Sequence, residues 1–298
     1  MLRRHIHALA PLGASALWGG MYVVAKWGLS VVPPVTLSFL RVALAAIVLL
    51  ALVRATKPSR TFTRGEWWRF TGLGAAIAVT LATQFLGTEL TNASQSSLLT
   101  VMVPVFILLL GVTVLDETVT QTKVVGLVIT LFGTMLVLSG QYDFSMLTDA
   151  NLAGIGALFT ASLAWAIYTV WGRDLVRRYS ALETATYATV ISVPMLFGMA
   201  IIELWIRGPV IDEAVISLPF LLGLVYLSVF ATAISWYLWY KGLEYVDSSI
   251  VAMFFFVQPV VGSALGAIFL REDLGPLFFA GGLVMTVGLY IVSVRMEV

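Results

Sequence analysis

The chain has 298 residues, of which 60% are hydrophobic and 11% charged, with a mean hydropathy of +0.98. A water-soluble domain carries about twice that share of charge, so a globule in water is excluded and lipid is the solvent that fits. The 17 basic and 16 acidic residues nearly cancel, so nothing in bulk charge points to nucleic acid, and the absence of cysteine excludes disulfides, thiolate metal sites and a cysteine nucleophile.

Arg3 and Arg4 followed by an apolar run imitate a signal peptide, with Ala14-Ser15-Ala16 as its cleavage site. The run continues to about Trp27, however, and reads as an uncleaved first span. The two histidines, His5 and His7, precede it, so no histidine is deep enough to ligate a metal or act as a base inside the membrane. No metal or cofactor is expected. Further runs of about 20 apolar residues, each able to cross a ~30 Å hydrocarbon core as a helix, follow along the chain. The spans are 8–28, 34–53, 69–88, 94–115, 121–140, 151–172, 184–205, 218–240, 248–270 and 275–295. The joins carry turn chemistry or charge, as at Val32-Pro33-Pro34, Lys57-Pro58-Ser59-Arg60 and Arg207-Gly208-Pro209. None is long enough for a soluble domain.

Lys and Arg near span ends set the orientation. One side holds Arg3, Arg4, Arg54, Lys57, Arg60, Arg64, Arg69, Lys123, Arg173, Arg177, Arg178, Lys241 and Arg295, and the other only Lys26, Arg207 and Arg271. This bias predicts a multi-pass protein of the cell's cytoplasmic membrane with both termini in the cytoplasm.

The two halves match each other. At an offset of 155 residues, Gly87 falls on Gly242, Glu89 on Glu244, Ser94 on Ser249, Pro104 on Pro259, Gly111 on Gly266 and Glu117 on Glu272. The same offset places Gly126 on Gly281 and Gly133 on Gly288, and an offset of 147 pairs Ala14-Ser15 with Ala161-Ser162 and Trp18 with Trp165. The expected fold is an all-α integral membrane protein of ten transmembrane helices, built as two inverted five-helix repeats, 1–149 and 150–298. Five spans per repeat make the second half enter the membrane upside down, and inverted repeats build a site near the midplane that opens to either side.

Ala16-Leu17-Trp18-Gly19, Leu40-Arg41, Leu115-Asp116-Glu117 and Leu270-Arg271-Glu272, with Pro104, Pro259 and a Gly-rich last span in each half, resemble the EamA-type branch of the drug/metabolite transporter superfamily. The resemblance covers essentially the whole chain as two tandem EamA-like units. It implies a ten-helix fold and a family dominated by exporters of amino acids and related metabolites.

Polar groups in hydrocarbon are costly and mark candidate sites. Asn92, Ser96, Thr100 and Pro104 share one face of the fourth span, and the proline leaves the Thr100 carbonyl without its helical donor. This predicts a kinked, cavity-lining helix; packing through small polar residues is the alternative. Pro104 and Pro259 are the expected hinges. Trp18 and Tyr22 share a face in the first span, Trp165 and Tyr168 in the sixth, and the eighth adds Trp236 and Tyr237. Gln84 and Gln258 are amides at depth that need hydrogen-bond partners. Arg41 lies about seven residues, ~10 Å of helix rise, into the second span. It reads either as a ligand for a substrate carboxylate or as a structural donor to helix carbonyls or to a carboxylate such as Glu89. The acidic residues fall at span ends or in loops, which predicts capping and interfacial ion pairs there, with titrating gates as the alternative for Glu89 and Glu244.

The pattern predicts a secondary transporter of a small-molecule substrate, amino acids being the leading class, working by alternating access across the lipid bilayer; export follows from the resemblance. A membrane-embedded enzyme would need paired aspartates or His-Glu-x-x-His within spans, and neither is present. A channel would need a continuous polar face along several helices, where this chain has short polar patches.

Overall fold

The computed structural model describes residues 9–90, 102–139, 152–208, 215, 217–270 and 275–294. They form ten helical segments, each falling on one of the ten expected spans. They are α1 (10–28, helical over Ala10–Gly19 and Met21–Gly28), α2 (Pro34–Thr56), α3 (Arg64–Leu90), α4 (Met102–Leu115) and α5 (Gln121–Ser139). The second half supplies α6 (Leu152–Arg178), α7 (Ala181–Arg207), α8 (Leu218–Leu243), α9 (248–270) and α10 (Pro276–Val294). Among the described residues α2, α3, α6, α7 and α8 are long and apolar enough to cross a membrane, and the other five are shorter apolar helices. Large apolar side chains such as Val128, Phe132, Phe279 and Leu283 are exposed on α5 and α10, as expected of helices solvated by lipid.

α3 and α6 run furthest past their apolar runs, because their ends carry polar and charged residues. Thr63 and Glu66 form a reciprocal capping box: Glu66 N–H donates to Thr63 Oγ1 at 3.3 Å, and Thr63 N–H donates to the Glu66 carboxylate at 2.7 Å. This starts α3 five residues before the hydrophobic run. At the other end of its span, α6 continues through Arg173, Arg177 and Arg178.

Helices pack mainly across the halves, and the packing is two-fold. α1 lies on α8 and α9 as α6 lies on α3 and α4; α2 lies on α7 and α8 as α7 lies on α2 and α3; α5 lies on α10. The close contacts repeat with the sequence offsets. A Cβ on Gly87 would meet Leu158 at 2.6 Å, and one on its mate Gly242 would meet Pro11, the mate of Leu158, at 2.2 Å. A Cβ on Gly133 would meet the Met285 backbone at 2.6 Å, while one on Gly288 would meet the Thr130 backbone at 2.8 Å. Glycine at these positions lets helix backbones touch, the usual basis of close helix association in lipid.

Two irregular stretches break the regular winding. Residues Tyr226–Ile234 of α8 form a π-helix, with Thr232 Oγ1 donating to Leu227 O and Ser235 Oγ donating to Phe230 O, each at 2.7 Å. In α9, Phe254–Phe256 is a 3₁₀ turn. Pro259, three residues on, offers no N–H to the Phe255 carbonyl, which accounts for a turn that cannot keep the α pattern.

Carboxylates tie the helix ends together. Asp116 adopts φ 53°, and Glu117 N–H donates to Gly111 O at 3.1 Å, so α4 closes in a left-handed turn. That turn aims Glu117 at the start of α9. Its carboxylate accepts from Ser248 N–H (2.8 Å), Ser248 Oγ (2.7 Å), Ser249 N–H (3.2 Å) and Ser249 Oγ (2.6 Å). Arg173 pairs with Glu117 at 3.2 Å and Asp247 at 2.5 Å, and Lys123 with Asp247 at 3.1 Å. Elsewhere Glu203 caps α2 through Val35 N–H, Thr36 N–H and Thr36 Oγ1. Glu244 accepts from Ala181 N–H at 2.7 Å, and Glu89 holds Arg207 through two 2.7 Å bonds. The acids thus serve as caps and ion pairs at the helix ends.

Candidate functional site

Between the two repeats lies a cavity with about 420 Å³ of space not filled by atoms, part of it open to solvent. Trp18, Arg41, Gln84, Trp165, Trp236 and Gln258 line it, together with Met21, Thr80, Leu81, Val103, Ala161, Ser162 and Phe255. Trp165 is thirteen residues from either end of α6, and Ala161 and Ser162 on the same wall lie at the middle of the apolar run 151–172. Trp18 and its repeat mate Trp165 meet edge to face, with ring centroids 5.3 Å apart, and Trp236 and Phe255 extend the aromatic wall to 5.8 Å from Trp165 and 5.7 Å from Trp18.

Arg41 is 1% exposed and its guanidinium is spread over three neighbours. Nε donates to Thr232 Oγ1 at 2.5 Å, Nη2 to Ala231 O at 2.9 Å and Nη1 to Met21 Sδ at 3.1 Å, and the cation lies 5.7 Å from the Phe85 ring centre. The Ala231 carbonyl also accepts from Trp18 Nε1 at 2.9 Å. The π turn makes this possible, because Ser235 N–H reaches back to Phe230 O in place of Ala231 O. Tyr226, the first residue of that turn, donates its hydroxyl to Leu17 O at 2.7 Å beside Gly20, where any Cβ would strike the tyrosine oxygen. Of the two structural partners expected for Arg41, a helix carbonyl is engaged, whereas Glu89 holds Arg207.

Among the described residues, three buried polar atoms on the cavity wall have no hydrogen-bond partner: Thr80 Oγ1, Trp165 Nε1 and Gln258 Nε2. They come from α3, α6 and α9. Ser162 is already engaged, donating to Leu158 O at 2.9 Å.

Other sequence candidates fall elsewhere. Tyr168 is fully buried behind the cavity, packed on Trp165 at 5.0 Å and stacked on Tyr240 at 4.6 Å, which cover its ring. Tyr237 is half-buried and packs against the cluster of Ala45, Leu49 and Val53. Pro104 is buried in α4 beside the cavity-lining Val103. Asn92, Ser96 and Thr100 lie outside the described residues, as do the side chains of Tyr22 and Pro259. Met21, Thr80 and Ser162 were missed by sequence reading. Ser162 alone carried a signal, as the repeat mate of Ser15.

A second, wider concavity of about 980 Å³, open solvent included, lies at the end of the molecule built by α4, α5, α6 and the α8–α9 turn. Its charged groups are Lys123, Arg173, Arg177 and Asp247, largely bonded to one another or, for Arg177, to Leu243 O and Val246 O.

The sequence model of the EamA-like transporter family matches residues 6–139 and 152–294, one unit per repeat. An uncharacterised transporter of Archaeoglobus fulgidus is 27% identical over 284 residues, covering 92% of this chain and 94% of its own. A protein of Escherichia coli K12 named "Probable amino-acid metabolite efflux pump" is 25% identical over 280 residues, covering 92% of this chain and 90% of its own. A solved crystal structure shares the fold over 96% of this chain and 98% of its own, with a TM-score of 0.77 at 17% identity.

Proposed function

Because this chain belongs to the EamA-like transporter family, a family of multi-pass membrane transporters and not of enzymes, we propose that it is a secondary transporter exporting amino acids and related small metabolites by alternating access. The observation that carries this reading is the mid-depth cavity walled by matching residues of both repeats, Trp18 and Trp165 foremost. A site on the pseudo-two-fold axis can be exposed alternately as the halves rock. Trp18, Arg41, Gln84, Trp165, Trp236 and Gln258 would contact cargo, and Pro104 and Pro259 would be the hinges of the two cavity-lining helices. Residues 1–149 and 150–298 are the two moving units. Amino acids are favoured by the names of the distant efflux-pump relatives and export by the same names.

The protein would lie in the cytoplasmic membrane with both termini inside, as the Lys and Arg bias indicates. Single cysteines in the cysteine-free chain test this. A cysteine at Asp116 should escape an impermeant thiol reagent in intact cells and one at Asp273 should react; labelling of both from one side contradicts the inverted arrangement.

Counterflow in proteoliposomes loaded with unlabelled compounds, using a panel of labelled amino acids, organic acids, amines, sugars and nucleosides, tests the transport reading. Saturable, protein-dependent exchange is expected. Flux that neither saturates nor trans-stimulates would indicate a channel, and no flux of any compound by folded protein would contradict transport.

A further inference from the structure

The geometry points to a cavity that selects its cargo by a carboxylate and holds no counter-charge for an ammonium, so that carboxylic acids with a bulky apolar or aromatic body are carried whether or not they bear an amino group. The inference rests on the transport reading above.

The wall is rich in donors. The Arg41 guanidinium and the Trp165 indole N–H can only donate, and Trp165 Nε1 is buried with no partner. The Thr80 hydroxyl and the Gln258 amide nitrogen are likewise buried and unpartnered on the same wall. Each unsatisfied buried donor costs about 1–3 kcal/mol, a cost that a ligand with several lone pairs removes on binding. A carboxylate offers about four such sites on two oxygens, and charge assistance strengthens each bond.

Among the described residues, no carboxylate lines the cavity. Glu66, Glu89, Glu117, Glu183, Glu203, Glu244 and Asp247 are all engaged in caps or ion pairs away from it. An ammonium there would meet hydroxyl and amide oxygens and aromatic faces, with no carboxylate among the described lining residues and beside the like charge of Arg41. The rest of the wall, Trp18, Trp165, Trp236 and Phe255, suits a flat or bulky apolar body.

The test is competition for counterflow by four compounds of one shape: phenylalanine, 3-phenylpropionate, phenethylamine and phenylalaninamide. The two acids should compete within about fivefold of each other, and the two compounds lacking a carboxylate should be about 10- to 100-fold weaker, the worth of one or two charge-assisted hydrogen bonds. Trp165→Phe keeps the aromatic wall and deletes the N–H. It should weaken both acids about 5- to 20-fold and leave phenethylamine unchanged, whereas a packing defect would weaken all of them alike. Exchange of any cargo with equal or better competition by the amine, or failure of 3-phenylpropionate where phenylalanine competes, overturns the carboxylate rule and leaves transport standing. Absence of counterflow for the whole panel overturns both.

Discussion

The crossing of α2 with α8 and the crossing of α7 with α3 occupy equivalent places in the two repeats, yet they are built differently. At the first, Arg41 enters from α2 and binds Ala231 O and Thr232 Oγ1 on the π segment of α8. At the second, the mate of Arg41 is Ala188 and α3 is α-helical throughout. There Gly74 brings the backbones so close that a Cβ would meet Ala188 O at 3.0 Å and Ile191 at 2.8 Å. The architecture therefore closes without an arginine or a π turn. Their joint presence on the cavity side alone is an addition to the fold, and π turns are often found at functional sites.

Substituting Arg41 should have the largest effect. Lysine keeps the charge but cannot hold a hydroxyl and a carbonyl at once through a planar fork. Arg41→Lys should lower the rate of exchange about 10- to 100-fold, the loss of one or two charge-assisted bonds, while the purified protein stays monodisperse. A variant with wild-type rates would remove the argument from the first crossing.

Closing the π turn comes next. Deleting Val229 from the 226–234 segment should let α8 wind as an α-helix, engage the Ala231 carbonyl within the helix and withdraw it from Trp18 and Arg41. Transport should fall about tenfold, as for the loss of one charge-assisted bond, with thermal stability in detergent unchanged or raised, since strained functional geometry is commonly traded against stability. Loss of stability together with activity would assign the π turn to folding.

The symmetric seam between α5 and α10 is the control. Gly133→Ala and Gly288→Ala each force two backbones apart and should destabilise by about 1–3 kcal/mol, by similar amounts because the contact is the same on both sides. Gly282→Ala, where nothing lies within 4 Å of the added methyl, should leave stability unchanged or raise it by up to about 1 kcal/mol.

Much of this was legible in the sequence. The ten apolar runs mark the helices, and the matched Gly, Pro and Glu positions mark the repeat. The depth of Arg41 marked it as unusual. What escaped depends on distant residues. Nothing in Tyr226–Ile234 distinguishes a π segment from an α one, because its geometry is supported by Trp18 and Arg41 from other helices. Glu117 could be read as lying at a helix end, but its partners Ser248 and Ser249 follow only from how α4 meets α9. Thr80 and Met21 face the cavity through the rotation of their helices about their own axes, which apolar runs without a polar face do not encode. Tyr168 shows the converse: sharing a helix face with Trp165 in sequence was insufficient once Tyr240 stacked on it.

The most direct test of the mid-depth cavity as the cargo site is protection of a single cysteine. Ser162→Cys places one thiol on the cavity wall of a chain with no other cysteine. Its modification by a small methanethiosulfonate in proteoliposomes should slow in proportion to occupancy by whichever compound shows counterflow, while a cysteine at Tyr245, in the wide concavity at the helix ends, should react at an unchanged rate. Protection at Tyr245 with none at Ser162 would place the cargo outside the cavity and contradict the account.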